Sequence, residues 1–272
     1  MSPHRSNNLR SRKIESVVMF YLLVYLIVYG STLIIKYYLK TSYILLDLAA
    51  TIGIIFTGIF LVTILILKLN DEKLLPSIFG IRRDNLRNSF LLATALSTPI
   101  PLFWLIGIQI VGIDTLLVAA KPSWVNFPIS LGILIFAVLF WGLVGTVAFA
   151  FWQAFPYELV RDISPRFAVL WIAILWSGLY NTPLLTGKLD PVDILFFGFL
   201  FTWVYHKTRN SVGIVLAYLL NENPLWWVIA AVFGANSGIA FVVLLIFRLL
   251  VCLVSTGLLI RETIYKTSSD SL

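Results

Sequence analysis

Residues 239–260 read IAFVVLLIFRLLVCLVSTGLLI, a run of apolar residues broken by one charged side chain, Arg248. An α-helix rises 1.5 Å per residue, so about 20 such residues cross the hydrocarbon of a bilayer. In hydrocarbon the backbone must satisfy its own polar groups, which a helix does within the segment. This stretch therefore predicts a transmembrane helix, and with it a lipid solvent for the rest of the chain. The whole sequence agrees. Of 272 residues, 60% are hydrophobic and 12% charged, whereas a soluble domain carries about a quarter charged residues. The expected fold class is all-α, a polytopic membrane helix bundle with about eight transmembrane helices joined by short loops.

Moving outward from 239–260, charges and turns mark the other spans. They are expected at 16–35, 43–67, 89–113, 127–151, 167–185 and 192–205, with a short apolar helix at 211–220. The apolar stretch 225–260 is too long for one span, and the turn-like GANSG at 234–238 divides it. Pro99 and Pro101 fall inside the third span; each removes a backbone donor, so a bend is expected there. The polar, basic segment 1–15 precedes a run too long for a secretory signal core, so the first helix is read as retained. The tail KTSSDSL (266–272) is expected to be disordered.

Charge orients the bundle. With the N-terminus in the cytoplasm, the inner loops carry Arg5, Arg10, Arg12, Lys13, Lys68, Lys73, Arg82, Arg83, Arg87, Arg161, Arg166, Lys207, Arg209, Arg261 and Lys266. The outer loops carry only Lys36, Lys40, Lys121 and Lys188. That bias follows the positive-inside rule and places both termini on the cytoplasmic side. The net charge of +7 is then explained by lipid headgroups, and a nucleic-acid partner is not expected. A single cysteine, Cys252, excludes an intrachain disulfide, and two histidines, His4 and His206, give no metal-site spacing. Neither a metal nor another cofactor is expected.

Polar groups at membrane depth are the candidates for function. Asp47 and Arg248 lie in spans; the plain reading of Arg248 is snorkelling or a structural pair. Gln109, Gln153 and Asn181 read as hydrogen-bonding glue between helices. The densest cluster is 153–166, QAFPYELVRDISPR, just past the fourth span, read either as a solvated interfacial turn or as a carboxylate held at the membrane surface beside a cleft. Glu158 and Arg161, three apart, share a helix face and are expected to pair.

Three further stretches carry a resemblance: IFGIRRDNL (78–86), ISPRFAVLWIAILWSGLYNTPLL (163–185) and FFGFLFTWVYHKTRNSVGIVLAYLLNE (196–222). Their order and fillers resemble the CAAX-protease and bacteriocin-processing (CPBP) family of intramembrane proteases, from about residue 130 to 223. That family is an all-helical bundle with three motifs, EExxxR, FxxxH and HxxxN, whose glutamate activates water while histidines and asparagine position it. On that frame Trp176 takes the Phe position and Tyr180 the first His position. Tyr218 takes the second His position, and Glu222, or Asn221 with a slipped register, takes the Asn position. For the first motif two alignments stand: Glu158 with Arg161 as a remnant, or Trp152 and Gln153 in the glutamate places.

The resemblance implies catalytic positions at Glu158, Arg161, Tyr180, Tyr218 and Glu222, with Gln153, Trp176, Asn181 and Asn221 lining a substrate cleft. It implies a division into a basic N-terminus (1–15), N-terminal transmembrane helices (16–126), a CPBP-like core (127–260) and a tail (261–272). Tyrosine is a poor base near neutral pH. The expected function is thus a catalytically impaired homologue that binds a hydrophobic or lipidated peptide, or a partner membrane protein, amid membrane lipids. The alternatives are an active intramembrane endopeptidase acting on CAAX-like (prenylated) peptides, and an unrelated transporter subunit or structural membrane protein.

Overall fold

The computed structural model describes the backbone at residues 3–38, 44–112, 139, 142–180, 191–221 and 238–269, and side chains at 10–31, 53–112, 139, 142–178, 198–220 and 242–263. Every regular element among the described residues is helical. The helices are α1 (Pro3–Tyr38), α2 (Ile44–Leu69), α3 (Leu86–Leu96), α4 (Pro99–Val111), α5 (Phe155–Val160), α6 (Pro165–Tyr180), α7 (Pro191–Thr208), α8 (Ser211–Asn221) and α9 (Gly238–Ser269). A 3-10 turn, Pro76–Phe79, follows α2, and a π-helical stretch, Val147–Ala154, leads into α5.

Four described helices are long and apolar enough to cross a membrane: Arg10–Ser31, Leu86–Val111, Gly142–Val160 and Val242–Thr263. Gly53–Leu69, Pro165–Gly178 and Ser211–Leu220 are shorter apolar helices. Large apolar side chains such as Leu26, Phe103, Ile110 and Val254 lie exposed on these helices. Such a surface is costly in water and ordinary against acyl chains. The chain is a helical membrane protein.

Several elements differ from the sequence expectation for physical reasons. Helix α1 begins at Pro3 and takes in the basic segment. Arg12 and Lys13 pair there with Asp71 and Glu72, each at 3.7 Å, so the segment is tied to the end of α2. The third span divides at Ser97–Thr98, with Pro99 opening α4, as prolines at that point require. Residues 153–160 are not an interfacial turn: they continue a helix, and the wider π winding sits where Pro156 removes an amide donor. Helix α9 runs on to Ser269, through most of the tail expected to be disordered. Arg87 holds it with a 2.6 Å contact to Glu262. The expected turn at 234–238 lies outside the described residues up to Ser237, as does the 126/127 boundary.

The chain folds into two compact units, one formed by Met1–Arg82 with Val147–Arg209, the other by Arg83–Thr146 with Asn210–Leu272. In the first, α1 packs along α2 and against α5, while α6 and α7 form a pair. The α6–α7 pair is close because residue 198 is glycine: a Cβ there would lie 3.0 Å from the Ala173 carbonyl oxygen. In the second, α3 is sandwiched by α8 and α9, and α4 lies on α9. Small residues let these backbones approach, as membrane helices without a hydrophobic drive require.

Candidate functional site

The first unit gathers its polar groups around Glu158, whose side chain is only 6% exposed. Helix α5 carries the carboxylate; the turn after it supplies Arg161, and the end of α7 supplies Tyr205 and Arg209. Arg161 Nη1 lies 2.7 Å from Glu158 Oε2, the pair expected from the three-residue spacing. Tyr205 donates its hydroxyl to Oε1 at 2.8 Å, and Arg209 Nη1 reaches the same oxygen at 3.1 Å. Arg209 also lies over the Tyr157 ring, 4.7 Å from its centroid. Its backbone is left-handed, with φ 55°. A non-glycine residue held there costs about 1–3 kcal/mol, and such residues cluster at sites the surroundings over-determine.

A second layer surrounds this clasp. The Tyr157 hydroxyl is 2.6 Å from His206 Nδ1. The Tyr157 and Tyr205 rings meet edge to face at 5.5 Å. Burial and the neighbouring Arg209 and Lys207 charges push the His206 imidazole below its usual range, which favours the neutral ring. The 3-10 turn locks onto the same helix from below in sequence: Phe79 is buried against Phe151 and Phe155, at 4.7 and 5.7 Å. Gly80 closes that turn at φ 67°, where a side chain would be strained.

Gln153 is fully buried on the π stretch. Its amide nitrogen donates to Thr202 Oγ1 at 2.8 Å, while Thr202 donates to the Gly198 carbonyl at 2.6 Å. These directions fix the amide orientation, and they leave Gln153 Oε1 without a partner among the described residues. Trp176, expected in a substrate cleft, donates its indole N–H to the Ala148 carbonyl at 2.9 Å and stacks on Phe149. Tyr21 ties α1 to the same stretch by donating to the Trp152 carbonyl. An apolar hollow of about 330 Å³ opens between α2 and the π stretch, lined by Phe56, Thr57, Ile59, Phe60, Val147 and Phe151.

The remaining candidates are distributed as follows. Gln153, Glu158, Arg161, Trp176 and the backbone of Tyr180 belong to the first unit; Tyr218 and the backbone of Asn221 belong to the second. Tyr218 is buried on α8 over Gly145, where an added Cβ would lie 2.9 Å from the ring. The side chains of Tyr180 and Asn221, and all of Asn181 and Glu222, lie outside the described residues, as does the Asp47 side chain. Gln109 is exposed on α4. Arg248 does not snorkel: it is 1% exposed, and its charge acts on the buried Cys252 one turn along α9. Among the described residues no group of three metal-ligating side chains exists.

Tyr205, Arg209, Tyr157, His206 and Thr202 escaped the sequence reading. Their partners lie 47 to 51 residues away in the chain. The one local signal was the Arg–Asn pair after a helix end, where a left-handed residue often sits.

No protein-family model, no curated protein and no solved structure matches this chain.

Proposed function

We propose that the chain is a catalytically impaired relative of the CPBP intramembrane proteases. On this reading it has about eight spans, both termini face the cytoplasm, and it binds a hydrophobic or lipidated peptide, or a partner's membrane helix, without cleaving it. The observation that carries the reading is the engagement of Glu158. A general base must offer a lone pair to water within hydrogen-bond reach. A carboxylate has about four acceptor sites, and Arg161, Arg209 and Tyr205 occupy three of them at 2.7–3.1 Å. Under the other alignment of the first motif, the glutamate place is held by Gln153, whose amide cannot act as a base. Either way the motif's acid is engaged or absent. The Gln153 carbonyl oxygen, buried in a membrane helix and without a partner among the described residues, supports a binding role: such an acceptor asks for a donor from water or from a bound peptide. A π-helical stretch often marks a functional segment.

The test is purified full-length protein in lipid nanodiscs with a farnesylated peptide ending in Cys-aliphatic-aliphatic-X and bearing a photo-crosslinker. Saturable crosslinking competed by unlabelled farnesylated peptide, with the tail left intact, is the expected result. Release of the terminal tripeptide, lost in Glu158→Gln, would restore the endopeptidase alternative. Crosslinking no better than to the unprenylated peptide would leave the unrelated membrane protein.

A further inference from the structure

The turn that follows α2 carries apolar side chains on its outside. Leu75 is extended, with φ −117° and ψ 141°, a conformation in which neighbouring side chains point opposite ways. Leu74 and Leu75 are nevertheless both exposed, at 53% and 52%, and Ile81 is 45% exposed. Backbone hydrogen bonds gather the three. Ile78 N donates to the Leu75 carbonyl and Ile81 N to the Pro76 carbonyl, each at 3.0 Å, so Ile81 stands beside the residue that follows Leu75. Arg82 folds back to donate to the Ser77 carbonyl at 3.4 Å, and Phe79 is buried against Phe151 and Phe155. One ring thus plugs the turn into the first unit, while the apolar side chains at its mouth stay outside.

Charge and position say what covers that mouth. Asp71 and Glu72 each lie 3.7 Å from a cation of α1, Arg12 and Lys13, so both acids next to the turn are matched. Lys68, in the last turn of α2, and Lys73, beside Leu74, are exposed, and among the described residues neither has an acidic partner. On α2 itself Leu61, Leu65 and Leu69 are exposed four residues apart, a single stripe of an apolar helix. Only residues 70–73 separate that stripe from Leu74. A leaflet offers the same sequence of surroundings: acyl chains, then the boundary, then phosphates. Apolar side chains continuous with a lipid-facing stripe, beside two uncompensated ammonium groups, fit the headgroup–acyl boundary of an anionic leaflet.

We propose that the turn from Lys73 to Ile81 is a membrane-surface anchor: Leu74, Leu75 and Ile81 enter the headgroup–acyl boundary of an anionic leaflet, and Lys68 and Lys73 meet its phosphates. The anchor depends on the chain being a membrane protein and not on its descent from a protease. The test uses full-length protein in vesicles of phosphatidylcholine with or without phosphatidylglycerol. A nitroxide is attached at Leu75→Cys, at Ile81→Cys and, on the exposed basic end of α1, at Arg10→Cys. Cys252 is buried and stays in place, and the wild-type chain gives its background. Relaxation by oxygen reports hydrocarbon, and relaxation by a nickel chelate reports water. The labels at 75 and 81 should favour oxygen, and the label at 10 the chelate. Phosphatidylglycerol should shift the label at 75 further toward oxygen, and Lys68→Gln with Lys73→Gln should abolish that shift. Chelate access at 75 and 81 equal to that at 10 would put the turn in water and overturn the anchor. Poor access to both reagents would put a protein surface over it and overturn it equally. A phosphatidylglycerol shift that survives the double lysine variant would overturn the part given to the two ammonium groups. Both labelled positions of the turn are exposed, and either reporter decides alone where the other variant fails to fold.

Discussion

The two units hold their helices together by different physics. Around Glu158 the first unit uses charge and directed hydrogen bonds from two sequence-distant places: α5 with the turn after it, and the end of α7. The second unit pairs Arg87 with Glu262 and, between α3 and α8, relies on shape. Gly213 of α8 lies so close to α3 that an added Cβ would stand 2.7 Å from both the Leu86 carbonyl oxygen and the Phe90 nitrogen. Beside it, Ser89 donates to the Asn210 carbonyl at 2.7 Å, Asn210 Nδ2 donates to the Asp84 carbonyl at 2.8 Å, and Asn210 Oδ1 accepts from Gly213 N. Backbone against backbone leaves no room and no chemistry to vary. A carboxylate between two guanidinium groups is adjustable by ligand, partner or proton. The difference makes the Glu158 clasp the adjustable contact and the α3–α8 approach the rigid one.

The sharpest way to break that contrast is to add volume where shape rules. Gly213→Leu must move backbone atoms, since neither neighbour is the tip of a flexible side chain. It should cost about 3 kcal/mol, the upper part of the overpacking range, read as a shift of the unfolding midpoint in mixed micelles. Gly257→Leu on α9, with nothing within 4 Å of its added Cβ, should cost nothing measurable in the same assay. Equal losses at both glycines would mean that α3 and α8 are not packed by shape.

Much of this was legible in the sequence, and the reason separates what was from what was not. Hydropathy and proline are local, so the helical class, the break at Pro99 and the short 211–220 helix could be read directly. The Glu158–Arg161 pair was also local, three residues on one face. Arg209 was legible only as a loop cation, because its role depends on a left-handed turn aiming it at a residue 51 positions earlier. The helical course of 153–160 was missed because proline and a run of charges imitate a loop. A π register that absorbs the proline leaves no mark in composition.

The next perturbation tests direction against volume. Glu158→Gln keeps the shape of the side chain and removes its charge. Arg209 then loses its counter-ion and Arg161 keeps only Asp162, but both arginines are partly exposed and regain water, so the cost should be about 2 kcal/mol, below the 3–5 of a fully buried pair. The comparison is sharpened by a double-mutant cycle. Arg209→Gln combined with Glu158→Gln should recover about 1 kcal/mol of coupling, whereas Gly213→Leu combined with Glu158→Gln should be additive. Additivity in the first cycle would show that Arg209 only neighbours the carboxylate.

The smallest effect is the most selective, because it touches one unit alone. The only histidines in the chain are His4 and His206, and both belong to the first unit. Burial, and then the Arg209 and Lys207 charges, lower the His206 pKa from 6.5 in the fold, so the unfolded chain binds its proton more readily. Stability must then rise with pH wherever the unfolded form holds more protons. The contribution is complete above about 6.5, the unfolded value, and is lost as pH falls through the lower folded one. Protonation also makes both ring nitrogens donors, so the 2.6 Å contact with the Tyr157 hydroxyl can then run only from Nδ1. Hydrogen exchange at 198–208 should therefore quicken as pH falls below about 6.5, after correction for intrinsic rates, while exchange at 211–220 should not. His206→Gln, which cannot titrate and can still bond to Tyr157, should flatten the first profile. A profile that survives that substitution would move the titrating group elsewhere and take the proton-sensitive character of the Glu158 surroundings with it.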